Sequence, residues 1–251
     1  MGINGSQALW GRVREKANFV KRPSPGSFTG AALALVLAGA AGVLTPQAAA
    51  ASTPGCSLSS HCYSILRGSG TTYYGMYGTW NRAAMGTPSS STNPQFIDSE
   101  MWFGSSSSSA WVEVGLTQGY LAPAGGTGYY VFAAYQTTGG SYREYSFGTV
   151  TQNATVTDEF QISRAASTNT FRIYFDGSYK TTPSIGFWSG SVLDVGAEVA
   201  TPSGTSGTFN MYVKGINSAG SRVNLGTQTP VVYSPLYGAK PASSAWTWRI
   251  P

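Results

Sequence analysis

The sequence predicts an all-β protein, an antiparallel double-sheet β-sandwich of the jelly-roll or concanavalin-like kind. Three observations predict it. From residue 72 onward, short runs rich in Val, Ile, Thr, Tyr, Phe and Trp alternate with Gly-, Ser- and Pro-rich turns at close, regular spacing. No stretch of residues 52–251 carries a convincing helical period of apolar residues. The composition is only 10% charged, with 32 Gly, 15 Tyr and 7 Trp in 251 residues. Such a chain builds sheets with hydroxyl side chains on open faces and aromatic and branched residues inside.

The first 51 residues are read apart from this fold. Arg12, Arg14, Lys16, Lys21 and Arg22 form a basic leader, residues 31–44 form an apolar run, and small residues follow up to Ser52. That order is expected of a secretory signal peptide cleaved near Ala50 or Ala51. The apolar run is shorter than the roughly 20 residues of a membrane span. No twin-Arg pair precedes it, so general secretion to the extracellular space is expected. The leader takes five basic residues and Glu15 with it, which leaves ten basic and nine acidic residues and a net charge near +1. That excludes the basic field needed to hold nucleic acid or an anionic membrane. Residues 52–70 read as an N-terminal segment, and residues 71–251 as one β-sandwich domain, expected to be a monomer. Cys56 and Cys62 flank His61. In an exported chain this pair is expected to form a disulfide, tidying the end of the chain, because one His and two Cys lack the fourth ligand of a structural zinc site.

Each strand is read from its own pattern. Residues 72–80 are an aromatic strand, 82–94 a polar loop and 95–103 the next strand. A five-serine turn leads into a strand at 110–120. A Pro/Gly turn at 122–128 precedes strands at 129–136 and 142–150. Residues 158–165 alternate apolar Phe160 and Ile162 with polar Gln161 and Ser163. Residues 170–175 pair with 179–182 across Asp176-Gly177, the strongest hairpin signal in the chain. Strands at 184–188, 192–200, 208–216 and 224–227 complete the set. Trp246-Thr247-Trp248 is expected to dock as an edge strand, since tryptophans exposed at a terminus are costly.

Two carboxylates stand out. Glu113 lies in Trp111-Val112-Glu113-Val114-Gly115 and Glu198 in Val195-Gly196-Ala197-Glu198-Val199, each mid-strand in an apolar, Gly-flanked setting. Alternation puts Trp111 and Gly115 on the face of Glu113, and Val112 and Val114 toward the core. A Trp beside a Glu points to a sheltered groove rather than open water. Gln118, five residues on, falls on the opposite face. Asp98 and Glu100 read as an exposed face, and Asp158-Glu159 as a solvated strand opening. His61 is the only histidine, and its place in a flexible end excludes a Ser-His-Asp triad. No phosphate loop, metal cluster or dinucleotide fingerprint occurs, so no cofactor or metal is expected.

Met101-Trp102-Phe103-Gly104, the serine turn and Trp111-Val112-Glu113-Val114-Gly115 together resemble the central motif of the glutamic peptidases. The motif residue there is Gln in the eqolisin branch and Glu in the neprosin branch, and this chain has Glu113. Gly196-Ala197-Glu198-Val199, with Pro202 following, resembles the second motif. Residues 129–147 resemble the family's aromatic strand pair and 149–177 its paired hairpin, so the likeness spans about residues 71–216. It implies a β-sandwich with both carboxylates on one concave face and an acid-active endopeptidase that needs no cofactor. Trp102, Trp111 and Tyr135 are the residues expected to bind substrate. The chain departs from the family in lacking a recognisable propeptide and a polar clamp beside Glu113. In this chemistry Glu198 is the base and Glu113 the oxyanion donor, or the reverse. Two other readings stay open. One is a glycoside hydrolase with its two Glu on a Tyr- and Trp-lined face. The other is a non-catalytic carbohydrate-binding or structural secreted module. The substrate is thus a polypeptide or a polysaccharide.

Overall fold

The computed structural model describes residues 61–105, 109–165, 169–187, 189–200 and 203–251. The expected signal peptide, Cys56, the middle of the serine turn, Trp188 and Pro202 lie outside the described residues. Along the chain the strands are β1 (Cys62–Ser69), β2 (Gly75–Arg82), β3 (Met85–Gly86), β4 (Phe96–Gly104), β5 (Trp111–Leu121), β6 (Gly126–Gln136), β7 (Tyr142–Thr149) and β8 (Asn153–Arg164). They continue as β9 (Phe171–Phe175), β10 (Ser178–Thr181), β11 (Val192–Val199), β12 (Thr205–Ser206), β13 (Phe209–Ile216), β14 (Arg222–Val223), β15 (Thr227–Val232), β16 (Tyr237–Ala239) and β17 (Ala245–Arg249).

Two antiparallel sheets carry the fold. One runs β15-β1-β11-β4-β5-β6-β7; the other runs β10-β9-β8-β2-β13-β17-β16, with β14 paired to β13. The predicted sandwich is the observed architecture. Between the sheets lies one apolar core. Alternation sends Ile97, Met101 and Phe103 of β4, Val112, Val114 and Leu116 of β5, and Leu193, Val195, Ala197 and Val199 of β11 into it from one side. Trp80, Phe160, Ile162, Phe209, Val213 and Trp248 enter from the other. Aromatic stacking knits the second sheet: the Trp80 and Phe160 rings lie 4.0 Å apart and nearly parallel, and Phe209 and Trp248 4.5 Å apart. Burying each such ring contributes about 2–3 kcal/mol.

Several boundaries differ from the sequence reading. The sandwich begins at Cys62 rather than residue 71, because β1 lies inside the first sheet between β15 and β11. Leu66 of β1 reaches the core and is fully buried. The expected loop at 82–94 contains β3, which pairs with β12. The expected turn at 122–128 is a short 3-10 turn over Ala122–Ala124, after which β6 begins at Gly126. Among the described residues of 184–188, only Ser184 makes a bridge, to Thr170. The tail packs Trp246 and Trp248 into the core, one strand in from the edge formed by β16. Asp158 is buried rather than solvated, because Arg82 reaches both of its carboxylate oxygens at 2.6–2.9 Å.

Candidate active site

The outer face of the first sheet, turned away from the core, is where the acidic residues gather. Strand registers arrange it as a grid. One row across the sheet is Arg67–Asp194–Trp102–Glu113–Ala134, the next is Ile65–Gly196–Glu100–Gly115–Phe132, and the third is Tyr63–Glu198–Asp98–Thr117–Tyr130. Glu100 occupies the middle. Both of its direct cross-strand neighbours are glycines. Glu113 and Glu198 lie at opposite diagonals. Diagonal neighbours in an antiparallel sheet are about 7–8 Å apart at the backbone, and the glycines leave room for long carboxylates to lean over Glu100. Carboxylate oxygens of Glu100, Glu113 and Glu198 all lie within 4.8 Å of one another.

The strands bring together Glu113, Glu198, Trp102 and Trp111. Tyr135 they do not: it pairs with Val112, faces the inter-sheet core and stacks on Tyr145. The aromatic residues of β6 that share the face of Glu113 are Tyr130 and Phe132. Asp98 and Glu100 are also corrected. Each is buried, at 1% and 4% exposure, not part of an exposed face. An outer sheet face usually meets water, but here a second apolar cluster of Trp102, Trp111, Leu121, Tyr130, Phe132 and Ala134 covers it. The Trp102 and Trp111 rings lie 5.9 Å apart, and Trp111 and Tyr142 5.8 Å, forming an aromatic wall beside Glu113. Gln118 lies on the other side of β5 and accepts a hydrogen bond from Gln152.

His61 is the other residue the sequence did not place here. Its Nδ1 is hydrogen-bonded to Glu198 Oε1, and its ring meets Phe96 edge-on at 5.2 Å. The Tyr63 hydroxyl approaches the same oxygen at 3.4 Å. A short step along the face, Arg67 grips both oxygens of Asp194 at 2.9 Å each. A shallow depression lined by Tyr63, Ile65, Glu100, Trp102, Asp194 and Gly196 opens on the β11 side of the carboxylates.

Three carboxylates this close repel one another strongly. At 4.8 Å and an effective dielectric constant of about 20, each pair of charges costs about 3 kcal/mol. The group can relieve that by holding a divalent cation on Glu100, Glu113 and Glu198, or by keeping protons.

No protein-family model matches this chain, and no curated protein matches it. Among solved structures it is similar to SCP-B, a member of the eqolisin family of peptidases, in a complex with the tripeptide Ala-Ile-His. The TM-score is 0.50 and the identity 11%, over 82% of this chain and 100% of that one. It is more distantly similar to a β-glucanase from Bacillus licheniformis, with TM-score 0.34 and 13% identity over 72% of this chain and 65% of that one. A glycoside hydrolase family 16 endo-glucanase from Bacteroides ovatus gives TM-score 0.33 and 11% identity over 74% and 78%. At these identities the first likeness shows the shared fold, and the two glucanases carry no argument.

Proposed function

We propose that this protein is a hydrolase that activates water between Glu113 and Glu198, and that it is an acid-active glutamic endopeptidase. The observation that carries the reading is the convergence of these carboxylates, with Glu100, within 4.8 Å on a sheltered sheet face. Crowding keeps at least one of them protonated at acid pH, which supplies an acid and a base in one place. The ionised Glu198 takes a proton from water as the water oxygen bonds to the scissile carbonyl carbon. Protonated Glu113 donates a hydrogen bond to the developing oxyanion. The intermediate collapses with cleavage of the C–N bond, and the leaving amine takes its proton from Glu198. Both carboxyl groups return to their starting states. The wall of Trp102 and Trp111 excludes water from the Glu113 side.

A glycoside hydrolase is the second reading. It is favoured by the close approach of the two carboxylates, as in a retaining pair whose carboxyls stand roughly 5–5.5 Å apart. The two separate in one assay series. The peptidase cleaves casein or a peptide library at pH 3–5, resists chelators and serine-protease inhibitors, and loses about 100-fold or more of its rate in Glu113→Gln and in Glu198→Gln. Release of reducing sugar without peptide cleavage makes the glycosidase the right reading. Binding to polysaccharide with no turnover makes the chain a carbohydrate-binding module. The protein is also proposed to be secreted after loss of residues 1–51, with Cys56 joined to Cys62. The N-terminal sequence and the reduced and unreduced masses of the exported form test both points.

A further inference from the structure

We propose that the outer face of the second sheet, on the opposite side of the sandwich from the carboxylates, binds an anionic polysaccharide, one with carboxylate or sulfate groups on its sugar rings. This inference is independent of the hydrolase reading. Among the described residues, the large apolar side chains left exposed are Tyr179, Tyr212 and Tyr237, at 57%, 43% and 43%. All three stand on this one face. Tyr179 of β10 pairs with Tyr174 of β9, outside the core-facing Ile173. Tyr212 alternates with the core residues Met211 and Val213, and Tyr237 pairs with Arg249 next to the core residue Trp248. One register row, Tyr179–Tyr174–Gln161–Tyr77–Lys214, crosses five strands. With neighbouring strands about 4.8 Å apart, the strands in line from β10 to β16 span roughly 30 Å, room for several sugar rings.

Charge decides the kind of glycan. The strands of the first sheet carry six carboxylates against two Lys or Arg, and those of the second carry seven Lys or Arg against two carboxylates. Three of these cations stand beside the rings. Lys214 Nζ lies 5.0 Å from the centre of the Tyr212 ring, and the Arg249 guanidinium 5.1 Å from that of Tyr237. Arg172 shares the outer face of β9 with Tyr174. Among the described residues, the ion pair on this face joins Arg222 to Glu159, and leaves Arg172, Lys214 and Arg249 without a carboxylate partner. A ring beside a cation offers flat apolar surface to the C–H face of a sugar and a charge to its acid group. A nucleic acid fits less well, because its unbroken row of phosphates would pass over Glu159 and the neighbouring Asp176. A second copy docking by its acidic sheet also fits less well. Asp98, Glu100, Glu113 and Asp194 are buried there and do not reach across an interface.

The test is retention of the purified protein at pH 7 on immobilised polygalacturonate and on an immobilised neutral glucan, at about 50 mM salt, where surface charges are weakly screened. The native protein is expected to bind polygalacturonate at least about 10-fold more tightly than the glucan, and to be released as salt rises to about 0.5 M. The double variant Tyr179→Ala, Tyr212→Ala is expected to weaken binding about 10-fold or more. Lys214→Gln with Arg249→Gln is expected to remove the preference for the charged polymer. Tyr212→Phe keeps the ring and is expected to bind as the native protein does. These side chains lie at the surface, so the variants keep the native melting temperature and whatever rate of casein cleavage the native protein has. No retention on polygalacturonate, equal retention on the glucan, or tighter binding to single-stranded DNA overturns the proposal. So does retention that survives the loss of both tyrosines; if Glu113→Gln then abolishes it, the glycan lies in the carboxylate site and the glycosidase reading gains. Retention lost in the tyrosine variants, from a protein that cleaves no peptide, ends the peptidase reading and leaves this surface standing.

Discussion

A β-carbon at Gly196 would stand 2.0 Å from the carbonyl oxygen of Ser64, and one at Gly115 2.2 Å from that of Ser99. These two positions flank Glu100, and only hydrogen fits there. Gly196 also has φ near 147°, a backbone that L side chains avoid. Gly196→Ala is therefore expected to cost about 2–4 kcal/mol, from overlap with backbone that cannot yield plus local strain. Gly140→Ala, at φ 81° with open space around it, is expected to cost only about 1 kcal/mol. Urea unfolding of the two variants checks the contrast, and equal losses would mean that the sheet adapts at Gly196. Sequence alone could find Glu113, because alternation along one strand puts Trp111 and Gly115 on its face. It could not find Glu100. The pattern of Asp98, Ser99 and Glu100 looks like any wet sheet face until the register sets glycines on both sides. Tyr135 was misplaced for the same reason: which β6 residues share the face of Glu113 depends on pairing across a turn, not on composition. His61 lay beyond reach because its partner is 137 residues away.

At the scale of the elements, the signals that read correctly are local ones. Asp176 and Gly177 have φ of 47° and 70°, the left-handed pair that a two-residue hairpin between β9 and β10 requires, and Asp-Gly supplies it. By contrast, β1 carries no strong alternation in its Cys-Tyr-Ser-Ile-Leu-Arg-Gly-Ser run. It becomes a strand because β11 and β15 offer it two edges, and that information is non-local. Between β2 and β8, Arg82 and Asp158 make a forked ion pair whose acid is almost wholly buried. Burial raises the Asp158 carboxyl above its ordinary value, and Arg82 opposes that shift. In Arg82→Met the opposition is gone, so the folded-state pKa rises further above the unfolded value. The stability contributed by protonated Asp158 is then fully present below the unfolded value of about 3.9 and is lost as pH rises through the folded one. The variant is expected to lose about 3 kcal/mol at pH 7, where a buried carboxylate is left uncompensated, and clearly less at pH 4. Chemical denaturation at both values tests this. A loss that is equal or larger at pH 4 contradicts it.

For the molecule as a whole, the sandwich spends its scarce acids in unusual places. The chain has ten Asp and Glu in 251 residues, and Asp98, Glu100, Glu113, Asp158 and Asp194 are all buried. Asp98, Glu100, Glu113 and Glu198 share one patch of the outer sheet face, and the His61 imidazole meets Glu198 there. Folding at neutral pH gathers like charges that the unfolded chain keeps apart, which opposes their ionisation. The folded state must then bind protons more readily than the unfolded state over the range between their titrations. Stability held by those protons is complete below the unfolded carboxylate values, near 4, and is lost as pH rises through the higher folded values. Most proteins weaken on acidification, because paired carboxylates must be protonated. Here the acid patch pulls the other way. The melting temperature is accordingly expected to rise as pH falls from 7 to 4.5, by on the order of 5 °C if the relief is about 2 kcal/mol. The double variant Glu100→Gln, Glu113→Gln removes two of the competing charges and is expected to flatten that slope while raising the melting temperature at pH 7. Calorimetry across the range decides it. A native protein that melts lower at pH 4.5 than at pH 7, with the same slope in the double variant, would mean that the folded patch binds no more protons than the unfolded chain and that no proton is held there for chemistry.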